Sequence, residues 1–99
     1  MAKKITESAG KPAKKRVSFV LEEAPGKIVC VAGSFNDWNP DKKRLEYKVD
    51  KGVYSGFIML EPGSYEYKFV VDGEWRLDER NHSFSHNDFG TLNSMIIVE

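Results

Sequence analysis

The stretch Ser64-Tyr65-Glu66-Tyr67-Lys68-Phe69-Val70-Val71-Asp72-Gly73 decides how the chain folds. Tyr65, Tyr67, Phe69 and Val71 alternate with Ser64, Glu66, Lys68 and Val70. A strand turns successive side chains to opposite faces, so this period of two predicts one buried and one more polar face. Asp72-Gly73 then reads as a hairpin turn, because both positions tolerate the positive φ that a two-residue connection needs. Glu74 to Leu77 is the returning strand.

Working outward, the same pattern recurs. Val17, Phe19 and Leu21 alternate with Ser18, Val20 and Glu22, and Glu23-Ala24-Pro25-Gly26 is a turn. Lys27 to Ala32 is an apolar, mostly β-branched run, which predicts a central strand buried on both faces. Gly33 to Pro40 has loop composition but carries Phe35 and Trp38. Leu45, Tyr47 and Val49 alternate, Asp50-Lys51-Gly52 turns, and Val53 to Leu60 is the next strand. Glu61-Pro62-Gly63 turns into the deciding stretch, residues 78–90 are polar and irregular, and Leu92 to Val98 is the last strand. About seven strands, turn signals every eight to twelve residues and no helical period predict an all-β, antiparallel, immunoglobulin-like β-sandwich. Its expected buried set includes Phe19, Val29, Val31, Tyr65, Tyr67, Phe69 and Ile96.

The chain has 99 residues, 40% of them hydrophobic and 12% aromatic, so one thin core built largely from rings is expected. Charge is neutral in sum but uneven. Residues 1–16 hold six basic side chains against Glu7 alone, and the other 83 residues hold nine basic and fourteen acidic ones. Residues 1–15 read as a disordered basic tail and 16–99 as the folded domain. A body with excess negative charge does not suit a nucleic acid, whose binding draws on neutralised phosphates. No stretch approaches a membrane span. The single Cys30 cannot form an intrachain disulfide, lies in an apolar run and reads as a small core residue. With no apolar leader in residues 1–25, the expected compartment is cytoplasmic.

Catalytic chemistry is not indicated. Carboxylates such as Asp37, Asp41, Asp72, Glu74, Asp78, Glu79 and Asp88 lie in polar stretches, and a thin sandwich has little room for the deep cleft of a glycosidase. His82 and His86 are four apart, but that spacing ligates a metal from a helix and no helical pattern surrounds them. No phosphate-binding glycine loop and no nucleophile elbow occurs.

Two tryptophans in polar surroundings are the informative feature. Trp38 stands among Asn36, Asp37, Asn39 and Pro40, and Trp75 between Glu74 and Arg76. Such an indole either folds back as a plug over the core or offers a flat contact surface. The second reading suits a sugar, whose C–H face packs on an indole and whose hydroxyl edge needs side chains such as Lys68, Thr91 and Asn93. Lys68 lies opposite the Tyr65-Tyr67-Phe69 face, and Thr91 and Asn93 share one face by period two.

Three segments carry a resemblance. Val31-Ala-Gly-Ser-Phe-Asn-Asp-Trp-Asn-Pro40, Pro62-Gly-Ser-Tyr-Glu-Tyr-Lys-Phe-Val-Val-Asp-Gly-Glu-Trp75 and Phe89-Gly-Thr-Leu-Asn-Ser94 resemble the motifs of the family-48 carbohydrate-binding modules. That family includes the glycogen-binding domain of the AMP-activated protein kinase beta subunit and the N-terminal modules of glycogen branching and debranching enzymes. The resemblance spans residues 16–99 and implies non-catalytic binding of an α-1,4-glucan such as glycogen, starch or maltodextrin, without a cofactor. It implies sugar stacking on Trp38 and Trp75 and hydrogen bonds from Lys68, Thr91 and Asn93. Phe89 falls where kinase-associated members carry a Leu, which keeps an apolar contact and changes its shape. The partner class it implies, besides the glucan, is a glycogen- or starch-metabolising enzyme or kinase. The alternative is a protein–protein interaction or scaffold module that uses the same sandwich without binding sugar.

A neutral glucan gains nothing from the charge of the tail, so deleting residues 1–14 is expected to leave maltoheptaose affinity unchanged. A loss of about tenfold, about 1.4 kcal/mol, in an isothermal titration would place the tail in the site.

Overall fold

A computed structural model of the chain describes residues 13–99. The expectation of a disordered leader falls, over residues 1–12, outside the described residues; within them, the first strand already starts at Lys15. Eight strands follow one another: β1 (Lys15–Glu22), β2 (Val29–Gly33), β3 (Glu46–Lys48), β4 (Val53–Leu60), β5 (Gly63–Val71), β6 (Glu74–Arg76), β7 (Phe84–His86) and β8 (Leu92–Val98). The one helical element among the described residues is a 3-10 turn at Pro40–Lys42. The period-two reading therefore holds, and the chain is an all-β, antiparallel sandwich.

One sheet has the order β1-β4-β3. The other has the order β2-β5-β8-β7, with β6 also paired to β5. β6 takes residues Phe69 to Val71 of β5 and β8 takes Gly63 to Tyr67, while β2 runs along Tyr67 to Val71. The Asp72-Gly73 connection has φ of 49° and 86°, the left-handed values its residue types favour. Asp72 also exchanges bonds with Ile28: its N–H donates to the Ile28 carbonyl and its Oδ1 accepts the Ile28 N–H, each at 2.8 Å.

The extra strand, β7, lies in the segment read as irregular. It has three residues and no apolar alternation, and only its pairing with β8, Phe84 opposite Ser94 and His86 opposite Leu92, makes it a strand. β2 is also placed differently from the expectation. All five of its residues are buried, yet it stands at the edge of its sheet and not in the centre. Its outer edge is closed by residues 43–45. Val31 donates to the Lys43 carbonyl at 3.0 Å, and Leu45 donates to the Val29 carbonyl at 2.8 Å. A buried edge needs such partners because an unpaired backbone group is costly there.

Between the sheets lie Phe19, Val29, Val31, Leu45, Tyr54, Tyr67, Phe69 and Val71. Rings fill much of this space: Tyr67 meets Phe19 and Phe69 edge-on at 5.0 and 5.9 Å. Tyr65 and Ile96, expected in the core, are half-buried at its margin. Tyr65 packs on Phe35 and its hydroxyl donates to the Glu61 carbonyl at 2.7 Å, so it keeps its polar tip at the surface. Burial pushes the Cys30 thiol above its ordinary range, in keeping with a packing role.

Two polar devices hold the edges. The Tyr67 hydroxyl donates to Asp78 Oδ2 at 2.6 Å and accepts from Asn81 Nδ2 at 3.1 Å, and the Asp78 N–H donates to Ser94 Oγ at 3.0 Å. Burial, then the bond to Asp78, keeps the Tyr67 phenol protonated far above its usual range. Elsewhere, Glu23 accepts from the Ala24 N–H, Arg76 and Lys27, which together hold its carboxyl down to about 2. This ties β6 to the turn after β1.

Tyr67→Phe leaves a buried Asp78 oxygen without its donor, and is expected to cost about 1–3 kcal/mol in a urea unfolding curve. A change below about 0.5 kcal/mol would show that the network does not hold the fold. For Glu23 the folded pKa lies below the unfolded one, so its stabilisation is present above pH 4.5 and is lost as pH falls towards 2. Acid titration of the melting temperature should show a shallower fall in this window for Glu23→Gln than for the parent.

Candidate functional site

The outer face of the β2-β5-β8 sheet carries an open cleft of about 600 Å³. Ser34, Trp38, Glu66, Lys68, Trp75, His86, Asn87, Asp88, Phe89, Thr91 and Asn93 line it, so all six residues singled out from the sequence come together here. Strand register explains most of this. On β5, Glu66, Lys68 and Val70 face away from the core residues Tyr67, Phe69 and Val71. Trp75 is the cross-strand partner of Val70, and Met95, two residues from Asn93, is the partner of Glu66. Period two then brings Trp75, Lys68 and Asn93 to one face.

Trp38 arrives by a different route. The loop that follows β2 is built on Gly33, where a Cβ would stand 2.4 Å from the Glu66 carbonyl oxygen and 2.7 Å from the Phe35 ring. No larger residue fits there. Asn36 closes the loop: its Oδ1 accepts the Gly33 N–H at 3.0 Å and its Nδ2 donates to the Val31 carbonyl at 3.1 Å. The Trp38 N–H donates to the Gly33 carbonyl at 2.9 Å. Asp37 and Trp38 both adopt left-handed φ, 59° and 58°, which is uncommon for non-glycine residues and is held here by these bonds. Asn39 then caps the 3-10 turn by accepting from the Asp41 N–H at 2.9 Å, with Pro40 at its start.

The two indoles differ. Trp75 is 46% exposed. Trp38 is half-buried and packs on Cys30, Ala32 and Val70 while lining the cleft. Trp38 thus covers part of the apolar interior and still presents a surface to the cleft. Phe89 is 89% exposed at the rim, whereas Asn93 is buried to 6% at the floor.

Hydrogen bonds link the polar members. Lys68 Nζ donates to Thr91 Oγ1 at 3.3 Å, and Asn93 Nδ2 donates to Glu66 Oε1 at 2.9 Å. Asn87 Nδ2 donates to Thr91 Oγ1 at 2.7 Å and to Asn93 Oδ1 at 3.2 Å. Glu66, Ser34 and Asn87 were not singled out from the sequence. Glu66 shares the Lys68 face by period two, so alternation could have found it. Ser34 and Asn87 sit in loops, where no period marks them. Among the described residues no group of three or more His, Cys, Asp or Glu is gathered as a metal would require. The cleft combines two large apolar ring surfaces with a short polar ladder, which equips it to hold a neutral molecule with an apolar face and a hydroxyl edge.

Comparison with known proteins bears on this geometry. A family model described as the glycogen recognition site of AMP-activated protein kinase matches residues 17–99. Protein FLOURY ENDOSPERM 6, chloroplastic, of Oryza sativa subsp. japonica is 35% identical over 83 residues, which are 84% of this chain and 15% of that protein. Protein PTST homolog 2, chloroplastic, of Arabidopsis thaliana is 44% identical over 50 residues, 50% of this chain and 9% of that protein. The 5'-AMP-activated protein kinase subunit beta-1 of Homo sapiens is 31% identical over 88 residues, 89% of this chain and 31% of that protein. The chain thus spans less than a third of each of these relatives.

The relatives correct the expectation of a cytoplasmic protein, since two of them are chloroplastic by name. A lone thiol is compatible with more than one compartment. The match covers every strand but the first two residues of β1, and it includes both tryptophan segments. On that match the chain belongs to the family described as the glycogen recognition site of AMP-activated protein kinase.

Proposed function

We propose that this chain is a non-catalytic module that binds an α-1,4-glucan by stacking glucose rings on Trp38 and Trp75. Family membership makes it a carbohydrate-binding module and not an enzyme. The observation that carries the finer reading is the convergence of Trp38, Trp75, Phe89, Lys68, Thr91 and Asn93 on one open cleft. The indoles offer apolar ring faces to the C–H faces of successive glucose units, and Phe89 supports the chain from the rim. Lys68, Thr91 and Asn93 meet the hydroxyl edge. α-1,4-Linked glucose coils, so successive rings arrive at an angle that suits two indoles from different elements.

Burying one indole face against a sugar is worth on the order of 1–3 kcal/mol. An open cleft on a neutral ligand then reaches about micromolar to millimolar affinity. A module of this kind brings a larger assembly to a glucan. A kinase or a glucan-metabolising enzyme is the partner we infer, supported by the kinase subunit among the relatives.

Titration of indole fluorescence with maltoheptaose or β-cyclodextrin tests the reading. Trp75→Ala and Trp38→Ala are each expected to weaken binding by about tenfold or more. Trp75→Ala should cost less stability than Trp38→Ala, because the indole is exposed and belongs to neither core cluster. Trp38→Ala should also lose about 1–3 kcal/mol of stability, because it uncovers Cys30, Ala32 and Val70. Affinity should vary little with salt, since no ligand charge is neutralised. Amylose incubated with the protein should release no reducing sugar. Parent-like affinity in both tryptophan variants would overturn the proposal.

A further inference from the structure

Asn87 makes more hydrogen bonds at the cleft than any residue assigned a role there. Its Oδ1 accepts the backbone N–H of Phe89 at 2.9 Å and of Thr91 at 3.1 Å. Backbone N–H groups can only donate, so these two bonds fix which end of the amide is the oxygen. The Nδ2 end must then face the side chains of Thr91 and Asn93, and it donates to both, at 2.7 and 3.2 Å. Two donors and two acceptor sites are all that an amide has, and all four are used. The main chain of Asn87 adds two more bonds, donating to the Thr91 carbonyl at 2.9 Å and accepting from Gly90 at 3.2 Å.

The consequence falls on Thr91. Its hydroxyl oxygen accepts from Asn87 and, at 3.3 Å, from Lys68, which occupies both lone pairs. What remains to Thr91 is its O–H proton, a donor. Lys68 spends one N–H on Thr91 and keeps two. Asn93 spends one N–H on Glu66 at 2.9 Å and keeps one, while its carbonyl faces Asn87. The free valences of Lys68, Thr91 and Asn93 are therefore chiefly donors. A glucan hydroxyl can donate or accept, and this arrangement selects its acceptor side.

We propose that Asn87 is a positioning residue that sets the hydrogen-bond polarity of the binding edge, turning Thr91 and Asn93 into donors towards sugar oxygens and holding the 87–91 loop under Phe89. The proposal rests on the sugar-binding reading of the cleft. Asn87 acts through Thr91 and Asn93 and has no need to touch the ligand.

Asn87→Asp separates the two tasks. The carboxylate keeps the acceptor for the Phe89 and Thr91 N–H groups, so the loop is retained, but it has no donor for Thr91 or Asn93. The Thr91 hydroxyl then turns to donate to Asp, the lone pair that Asn87 held is released while Lys68 keeps the other, and the polarity at Thr91 is reversed. The affinity of the full chain for maltoheptaose, read by calorimetry, is expected to fall about tenfold, with the melting temperature within a few degrees of the parent. The same substitution in a Thr91→Ala/Asn93→Ala background is expected to change affinity less than about twofold, because the groups through which Asn87 acts are gone. Parent-like affinity in Asn87→Asp, or an equal loss in both backgrounds, would overturn the proposal while leaving the sugar-binding reading in place. A parent that fails to bind maltoheptaose would overturn both. If Asn87→Asp unfolds, Asn87→Ser serves in its place: it keeps an acceptor and one donor, and its loss should again vanish in the double-alanine background.

Discussion

Strand β5 shares its edges with β2, β6 and β8, and its two faces are both committed. Tyr67, Phe69 and Val71 enter the core, while on the other face Glu66 and Lys68 line the cleft and Val70 lies buried beneath Trp38. This alternation is the constraint on which the molecule depends. A slip of one residue would carry three core side chains into water and the site residues into the core. Register is therefore protected by the burial of Phe69, which is fully covered, and by the hydrogen-bonded end of Tyr67. The energy that keeps the fold in register also keeps Lys68 beside Thr91.

The division of labour along the chain follows from this. β6 and β8 lie end to end along one edge of β5, so residues far apart in sequence, Trp75 and Asn93, share one face. Trp38 joins from the opposite edge through a loop whose geometry rests on Gly33 and Asn36. That loop holds two non-glycine residues in the left-handed region. Strain of this kind persists only where surrounding bonds over-determine it. Here they do, and the indole lies against Cys30, Ala32 and Val70, so the second hydrophobic cluster doubles as its support. A tryptophan fixed in this way loses little freedom when a ligand arrives, which favours binding by an otherwise open surface.

Charge has a minor part in the cleft. Lys68 stands against Glu66 and Asp88 among the lining residues, a small negative excess, and no metal-like cluster is gathered among the described residues. The ion pairs of Glu23 with Arg76 and Lys27 anchor β6 behind Trp75. A weakly charged cleft with ring surfaces and amide or hydroxyl groups matches a neutral polyol better than an anion.

Most of the fold and the six residues that meet in the cleft were legible in the sequence because alternation, hairpin glycines and three motif segments are local signals. Period two placed β1, β3 and β5, turn signals and apolar composition placed β4 and β8, and Asp72-Gly73 placed the β5–β6 turn. Local signals do not report on pairing at a distance. The apolar run of β2 could not show that its outer edge is closed by residues 43–45, so an edge strand read as a central one. β7 exists only through β8. Trp38 could be read as plug or as contact surface, and only the packed loop shows that it covers Cys30, Ala32 and Val70 while still lining the cleft. Asn87 is one polar loop residue among several in sequence. Its four side-chain bonds exist only once β8 and the 87–91 loop are folded against β5, since tertiary contact alone decides which donors and acceptors a side chain meets. The sequence by itself determined which residues could enter the core and which could meet a sugar; the tertiary structure decided which of them stand together, because strand register converts a local period into a shared surface.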